Sequence, residues 1–185
     1  ELVKKHTKEW LELQDQLGIE VVVSGEFERQ DMAVFFGEQF SGTKLGDFVP
    51  SYENRRYRPV IYEGGAQWVK PIALPMYKFV EANTNRFVKE TITGPATLFD
   101  WGLRGSRNYY HNPDALRKDL TVALRYEIQS LIDGGVDILQ VDEPALTTKM
   151  REFEKDCQDL QTENLTRIHG IIYFKKFALK RRFTC

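Results

Sequence analysis

Two rhythms of apolar positions alternate along the chain. Short, β-branched runs of strand length stand at Ile19-Glu20-Val21-Val22-Val23, Phe87-Val88-Lys89-Glu90-Thr91-Ile92 and Val136-Asp137-Ile138-Leu139-Gln140-Val141. The first is nearly continuous in apolar residues, as a strand covered on both faces should be. Between these runs the spacing turns helical. Trp10, Leu11, Leu13 and Leu17 predict an amphipathic helix over 2–17, with Gly18 as its stop. Residues 30–43, bearing Met32, Val34, Phe35, Phe36 and Phe40, read as a helix or a helical turn, and 73–84 as a helix. The clearest helix is 113–133. Asn112 suits its N-cap, Pro113 its first position and Asp114 the positive end of its dipole. Leu116, Leu120, Leu124, Ile128 and Leu131 make one stripe, and Gly134-Gly135 ends it. Strand, helix, strand in this order predicts βαβ crossovers and a parallel sheet.

The remaining segments have weaker patterns. A polar, Pro-bearing excursion runs from Gly42 to Pro71 with an extended piece at Pro59–Tyr62, and its length suits a lid or binding loop. Residues 147–163 are polar and read as helix, Ile171-Ile172-Tyr173-Phe174 suits one more strand, and the tail is basic.

Composition narrows the classes. With 185 residues, 42% apolar and 29% charged, the chain has material for one domain with a real core. A net charge of -1 gives no ground for a nucleic-acid or polyanion partner. Cys157 and Cys185 do not make a disulfide framework, which points to a reducing cytoplasm, and every apolar run is strand-sized rather than membrane-spanning.

The chemistry gathers where the strand runs end. They terminate in Ser24-Gly25-Glu26-Phe27-Glu28-Arg29, Thr93-Gly94-Pro95-Ala96-Thr97 and Asp142-Glu143-Pro144-Ala145. Carboxylates at successive C-terminal strand tips are where a parallel barrel collects its active site. For any one cluster, capping of the next helix is an equal reading; three in series favour a site. Glu26, Glu28 and Asp142 could hold an ammonium group, bind a hard metal, or serve as acid and base, a glycosidase-like pair included. Trp101 suits either ring stacking or core filling, and Arg55, Arg56 and Arg58 suit either a carboxylate-rich ligand or the surface. His6, His111 and His169 lack metal-ligand spacing, and no phosphate loop, nucleophile elbow or dinucleotide fingerprint is present.

Taken together, Gly25-Glu26-Phe27-Glu28-Arg29-Gln30-Asp31-Met32 with Phe36-Gly37-Glu38-Gln39, Thr93-Gly94-Pro95-Ala96-Thr97 with Trp101, and Gln140-Val141-Asp142-Glu143-Pro144-Ala145-Leu146 resemble the catalytic C-terminal barrel of cobalamin-independent methionine synthase. The match is in order and covers about residues 1–148. The resemblance implies methyl transfer from methyltetrahydrofolate, or a methyl-corrinoid in short relatives, to the zinc-bound thiol of homocysteine. It implies that Glu26 and Asp142, as carboxylates at neighbouring strand tips, bind the homocysteine amino group. It implies that Arg55 and Arg56 contact the folate and that Trp101 packs on the pterin. Two departures stand out. Thr148 replaces a family Glu, which favours a short relative. Phe183-Thr184-Cys185 falls near the family's His-x-Cys zinc motif with Phe in place of His, leaving Cys185 as the metal ligand and the later ligands missing.

The expectation is therefore an α/β chain forming a partial (β/α)8 TIM barrel with parallel strands, its second to fourth strands and perhaps a fifth. Residues 1–185 would be a single incomplete barrel domain with a divergent or truncated tail at 147–185. The strands 20–25, 87–92 and 136–141 would be adjacent in that order, with Glu26, Thr93 and Asp142 at one end. The barrel interior would be rich in Val and Ile, and the isolated chain sticky and catalytically silent. Rival readings are a corrinoid-linked thiol methyltransferase with another acceptor, and a non-catalytic truncated product or partner-completed module.

Overall fold

A computed structural model describes residues 1–50, 56–145, 165–168 and 171–175, the last two segments by their backbone alone. Helix α1 (Leu2–Gln16) leads into β1 (Val21–Val22). The strand is shorter than its apolar run, for a specific reason. The buried Gln14 side chain accepts from Val23 N at 3.0 Å and donates to Val23 O at 2.9 Å, taking the place of a strand partner. That contact also covers backbone groups that an edge strand would leave open.

Helix α2 (Met32–Gly37) is capped by Asp31, whose carboxylate accepts from Ala33 N and Val34 N. It is shorter than the 30–43 helical reading because the next residues become β2 (Ser41–Leu45). The excursion that follows is built, not loose. It contains β3 (Val49–Pro50), β4 (Arg56–Tyr57) and β5 (Val60–Gln67), with β2 antiparallel to β5 and β3 antiparallel to β4. Alternation along β5 sends Val60, Tyr62 and Ala66 into the core, against the helices that follow.

Helix α3 (Leu74–Glu81), β6 (Phe87–Thr93), α4 (Pro95–Ser106), α5 (Pro113–Asp133) and β7 (Ile138–Asp142) complete the main body. The α5 limits are those its stripe and caps predict, and Asn112 accepts from Asp114 N at 3.0 Å. Strands β1, β6 and β7 are adjacent, parallel and in chain order, with Thr93 paired beside Asp142. The strand read at Ile171–Phe174 exists as β9 (Ile171–Lys175), but it runs antiparallel to β7 and forms a hairpin with β8 (Leu165–Ile168). Where a fifth parallel barrel strand was expected beside β7, the strand there is a reversed one.

Strand parity settles which face is which. Val22, Val88, Ile92, Leu139 and Val141 join Leu116, Leu120 and Leu124 in the buried core. The opposite face of the same strands presents Lys89, Thr91, Ile138, Gln140 and Asp142, all half-buried. The expectation of an interior rich in Val and Ile holds in part: Val22, Val88, Ile92 and Val141 fall on the helix side, while the open face sets Val21, Val23 and Ile138 beside polar residues. Among the described residues no helix is long and apolar enough to cross a membrane.

Candidate functional site

The C-terminal ends of the three parallel strands lie together at one end of the sheet. At the end of β1 the chain turns sharply: Gly25 has φ 86° and Glu26 has φ 57°. Glu26 is the one non-glycine residue with positive φ among the described residues, a conformation costing roughly 1–2 kcal/mol for an L-residue. Ser24 Oγ steadies the turn by accepting from Glu26 N at 3.1 Å. The Glu26 side chain is 45% exposed. Strain at a half-exposed carboxylate is the kind that surrounding structure retains for a site.

Arg29 holds this turn to β6. Its side chain is 5% exposed and pairs with Glu26 at 2.8 Å, Glu90 at 2.6 Å and Glu28 at 3.4 Å. It also donates to Thr91 O at 2.7 Å and lies over the rings of Phe35 and Phe36. Burial pushes the Glu90 carboxyl up to about 7, although Arg29 pulls the other way. Sequence reading gave Arg29 no role. The available signal was Glu90 itself: alternation puts it with Val88 and Ile92 on the core side, where a carboxylate needs a partner.

The β6 and β7 tips are joined by backbone and by a second buried carboxylate. Gly94 N donates to Asp142 O at 2.9 Å, and Thr93 Oγ1 donates to Met32 O at 2.7 Å. Glu143, fully buried, accepts from Ala96 N at 2.9 Å and from Thr97 N and Oγ1, both at 2.7 Å. Gly94, the N-cap of α4, has no side chain, so Glu143 caps that helix from the neighbouring strand. Asp142 then falls, by parity, on the open face. There its Oδ1 accepts from Gln140 Nε2 at 2.7 Å.

Glu26 and Asp142 thus share one sheet end, but β6 stands between their strands, so they are not at adjacent tips. Two strand spacings, roughly 10 Å, separate β1 from β7. A cavity of about 240 Å³ opens beside Glu26, lined also by Trp10, Ser24, Lys89 and Thr91. Arg56 lies exposed on β4, and the next residue, Tyr57, packs on Trp101 of α4 with ring centroids 5.2 Å apart. Burial, followed by Asp31 and Asp100, raises the Tyr57 hydroxyl above its ordinary range. Tyr57 was also overlooked, being the aromatic between Arg56 and Arg58. Arg55, Thr148 and Cys185 lie outside the described residues. Among the described residues no group of three or more His, Cys, Asp or Glu is arranged to hold a metal ion.

Comparison with known proteins agrees with this geometry. Residues 1–166 match the family described as "Cobalamin-independent synthase, Catalytic domain". A 5-methyltetrahydropteroyltriglutamate–homocysteine methyltransferase of Bacillus subtilis (strain 168) is 36% identical over 95% of this chain and 24% of its own length. The similarly named protein of Bacillus velezensis is 34% identical over 95% of this chain and 24% of its own. The chain therefore spans about a quarter of the length of the curated relatives it matches. Among solved structures, a B12-independent methionine synthase from Shewanella sp. W3-18-1, in complex with selenomethionine, superposes with a TM-score of 0.71 at 25% identity. It covers 83% of this chain and 45% of that one. The three parallel strands, their connecting helices and the clusters at their tips are part of a (β/α)8 barrel, and the chain belongs to the cobalamin-independent methionine synthase family, within its catalytic domain.

Proposed function

We propose that this chain contributes the amino-acid-binding wall of a methyltransferase that passes a methyl group from methyltetrahydrofolate, or a methyl-corrinoid, to the thiol of homocysteine. One observation supports the reading: Glu26, held in a left-handed backbone, and Asp142 lie at the same end of one sheet. A cationic α-ammonium between two carboxylates satisfies both without a buried unpaired charge. The names of the Bacillus relatives supply homocysteine as acceptor, and the Shewanella structure holds selenomethionine, which resembles the methylated product.

The two carboxylates bind and orient the amino acid. Arg29 sets Glu26, and the Glu143 cap sets the strand tip bearing Asp142. Arg56, Tyr57 and Trp101 form the face we assign to the flat ring of the methyl donor, with Arg55 beside them in sequence. Zinc is the cofactor we propose for the whole enzyme on family grounds, with Cys185 as this chain's candidate ligand.

Calorimetric titration of the full chain with homocysteine tests the assignment. Glu26→Gln is expected to weaken binding by about 1.5–3 kcal/mol, the range for a hydrogen bond to a charged group. Unchanged affinity in that variant refutes it.

A further inference from the structure

The open face carries a chain of hydrogen bonds beyond the two carboxylates. Lys89 Nζ donates to Gln140 Oε1 at 2.9 Å, and Gln140 Nε2 donates to Asp142 Oδ1 at 2.7 Å. The three side chains descend β6 and β7 on the same face, and Lys89 lines the cavity that Glu26 also lines. The chemistry of the groups allows one arrangement only. An ammonium group can only donate, a carboxylate can only accept, and the amide between them does one with each end. Lys89 therefore anchors the carbonyl end of the Gln140 amide while its NH2 end meets Asp142.

We propose that Lys89 is a positioning residue for the amino-acid substrate, acting through the Gln140 amide to fix the Asp142 carboxylate. With Oδ1 held by Gln140, Oδ2 takes no hydrogen bond among the described residues and is left for the substrate ammonium. Without Lys89 the amide still turns its NH2 to the carboxylate but loses its second anchor, so Gln140 and the carboxylate it holds are less firmly placed. This inference rests on the assignment of Asp142 to ammonium binding, and it adds that Lys89 has no direct contact with the substrate.

The experiment measures homocysteine affinity of the full chain and variants by calorimetry, alongside the NMR signals of the Gln140 side-chain amide. Gln140→Leu and Lys89→Met should each weaken binding by roughly ten-fold, about the loss of one hydrogen bond to a charged group. Lys89→Arg, which keeps a donor, should stay within about three-fold of the parent. In the Gln140→Leu background, Lys89→Met should have no further effect, because its route to Asp142 has gone. Full additivity would mean that Lys89 touches the substrate itself, and the inference would be overturned. A Lys89→Arg chain as weak as Lys89→Met overturns it too. The amide signals give an independent reading. They should be slow to exchange with solvent in the parent and in Lys89→Arg, and lose that protection in Lys89→Met. If the parent does not bind homocysteine, the proposed function fails while the amide signals still decide on the row. Unaltered amide signals in Lys89→Met overturn the row whatever binds.

Discussion

Adding a single methyl group at Gly94 is expected to unseat the junction of β6, β7 and α4. The backbone there, at φ -82° and ψ 165°, is open to any residue, so alanine meets no conformational penalty. In free space the change would even stabilise the fold by about 0.4–1 kcal/mol through the unfolded chain. The space is not free. A Cβ at Gly94 would lie 2.5 Å from Glu143 Cγ and nearer still to the carboxyl carbon and Oε1, inside the 3.0 Å that real Cβ atoms respect. Glu143 cannot swing aside without leaving Ala96 N, Thr97 N and Thr97 Oγ1. Losing two of these three bonds, at about 1.5–3 kcal/mol each, less the unfolded-state gain, gives a net loss of roughly 2–5 kcal/mol. Against a usual total of about 5–15 kcal/mol, that is a sizeable part of the fold's stability. Urea unfolding followed by circular dichroism measures it. The Glu143→Ala background supplies the control, since removing the carboxyl removes the clash. There, Gly94→Ala should cost less than about 1 kcal/mol. A single Gly94→Ala variant within about 0.5 kcal/mol of the parent, or full additivity of the two changes, would refute the cap.

Two further outcomes are expected around Arg29. Arg29→Met leaves Glu26, Glu28 and Glu90 around a site with no cation and should cost about 3–5 kcal/mol in urea unfolding; a loss below about 1 kcal/mol would contradict the hub. Stability should also depend on pH through Glu90, whose folded carboxyl is raised from 4.5 to about 7 by burial. A raised acid holds its proton more tightly when folded, so its contribution is full below about 4.5 and lost as pH climbs through about 7. The decline between pH 5 and 8 should approach about 3 kcal/mol, and Glu90→Gln should flatten it; an equally steep profile in that variant would count against the assignment.

Much of the fold was legible because it rests on local rules. The α5 limits follow from Asn112, Pro113 and the two terminal glycines, and the order of β1, β6 and β7 follows from strand–helix alternation. What stayed hidden depends on contacts distant in sequence. Gln14 shortens β1 from nine residues away, and no periodicity announces that. The start of β5 was legible as the extended piece at Pro59–Tyr62, but β2 was read partly as helix and partly as loop, since Ser41-Gly42-Thr43-Lys44 has no apolar repeat and pairs only because β5 lies beside it. At the site, Glu26 and Asp142 could be named from their clusters, but Arg29, which binds one of them, could not. Its partner Glu90 is 61 residues away.

The strands divide their polar residues by parity, and that division accounts for the site's construction. Even-numbered Glu90 on β6 and odd-numbered Glu143 beyond β7 turn towards the helices, where each is buried and held, one by Arg29 and the other by the start of α4. Lys89, Gln140 and Asp142 take the alternate positions and line the open face. A buried carboxylate left without partners would cost several kcal/mol, so each helix-side charge ties its strand tip to a second element. The tips that carry Glu26 and Asp142 are fixed in this way from behind. The open-face groups are therefore free to be polar, because the core-side charges and the Val and Ile of the same strands already supply the rigidity. A binding surface needs this arrangement: its donors and acceptors must be set before the ligand arrives, or the ligand's binding energy is lost in ordering them.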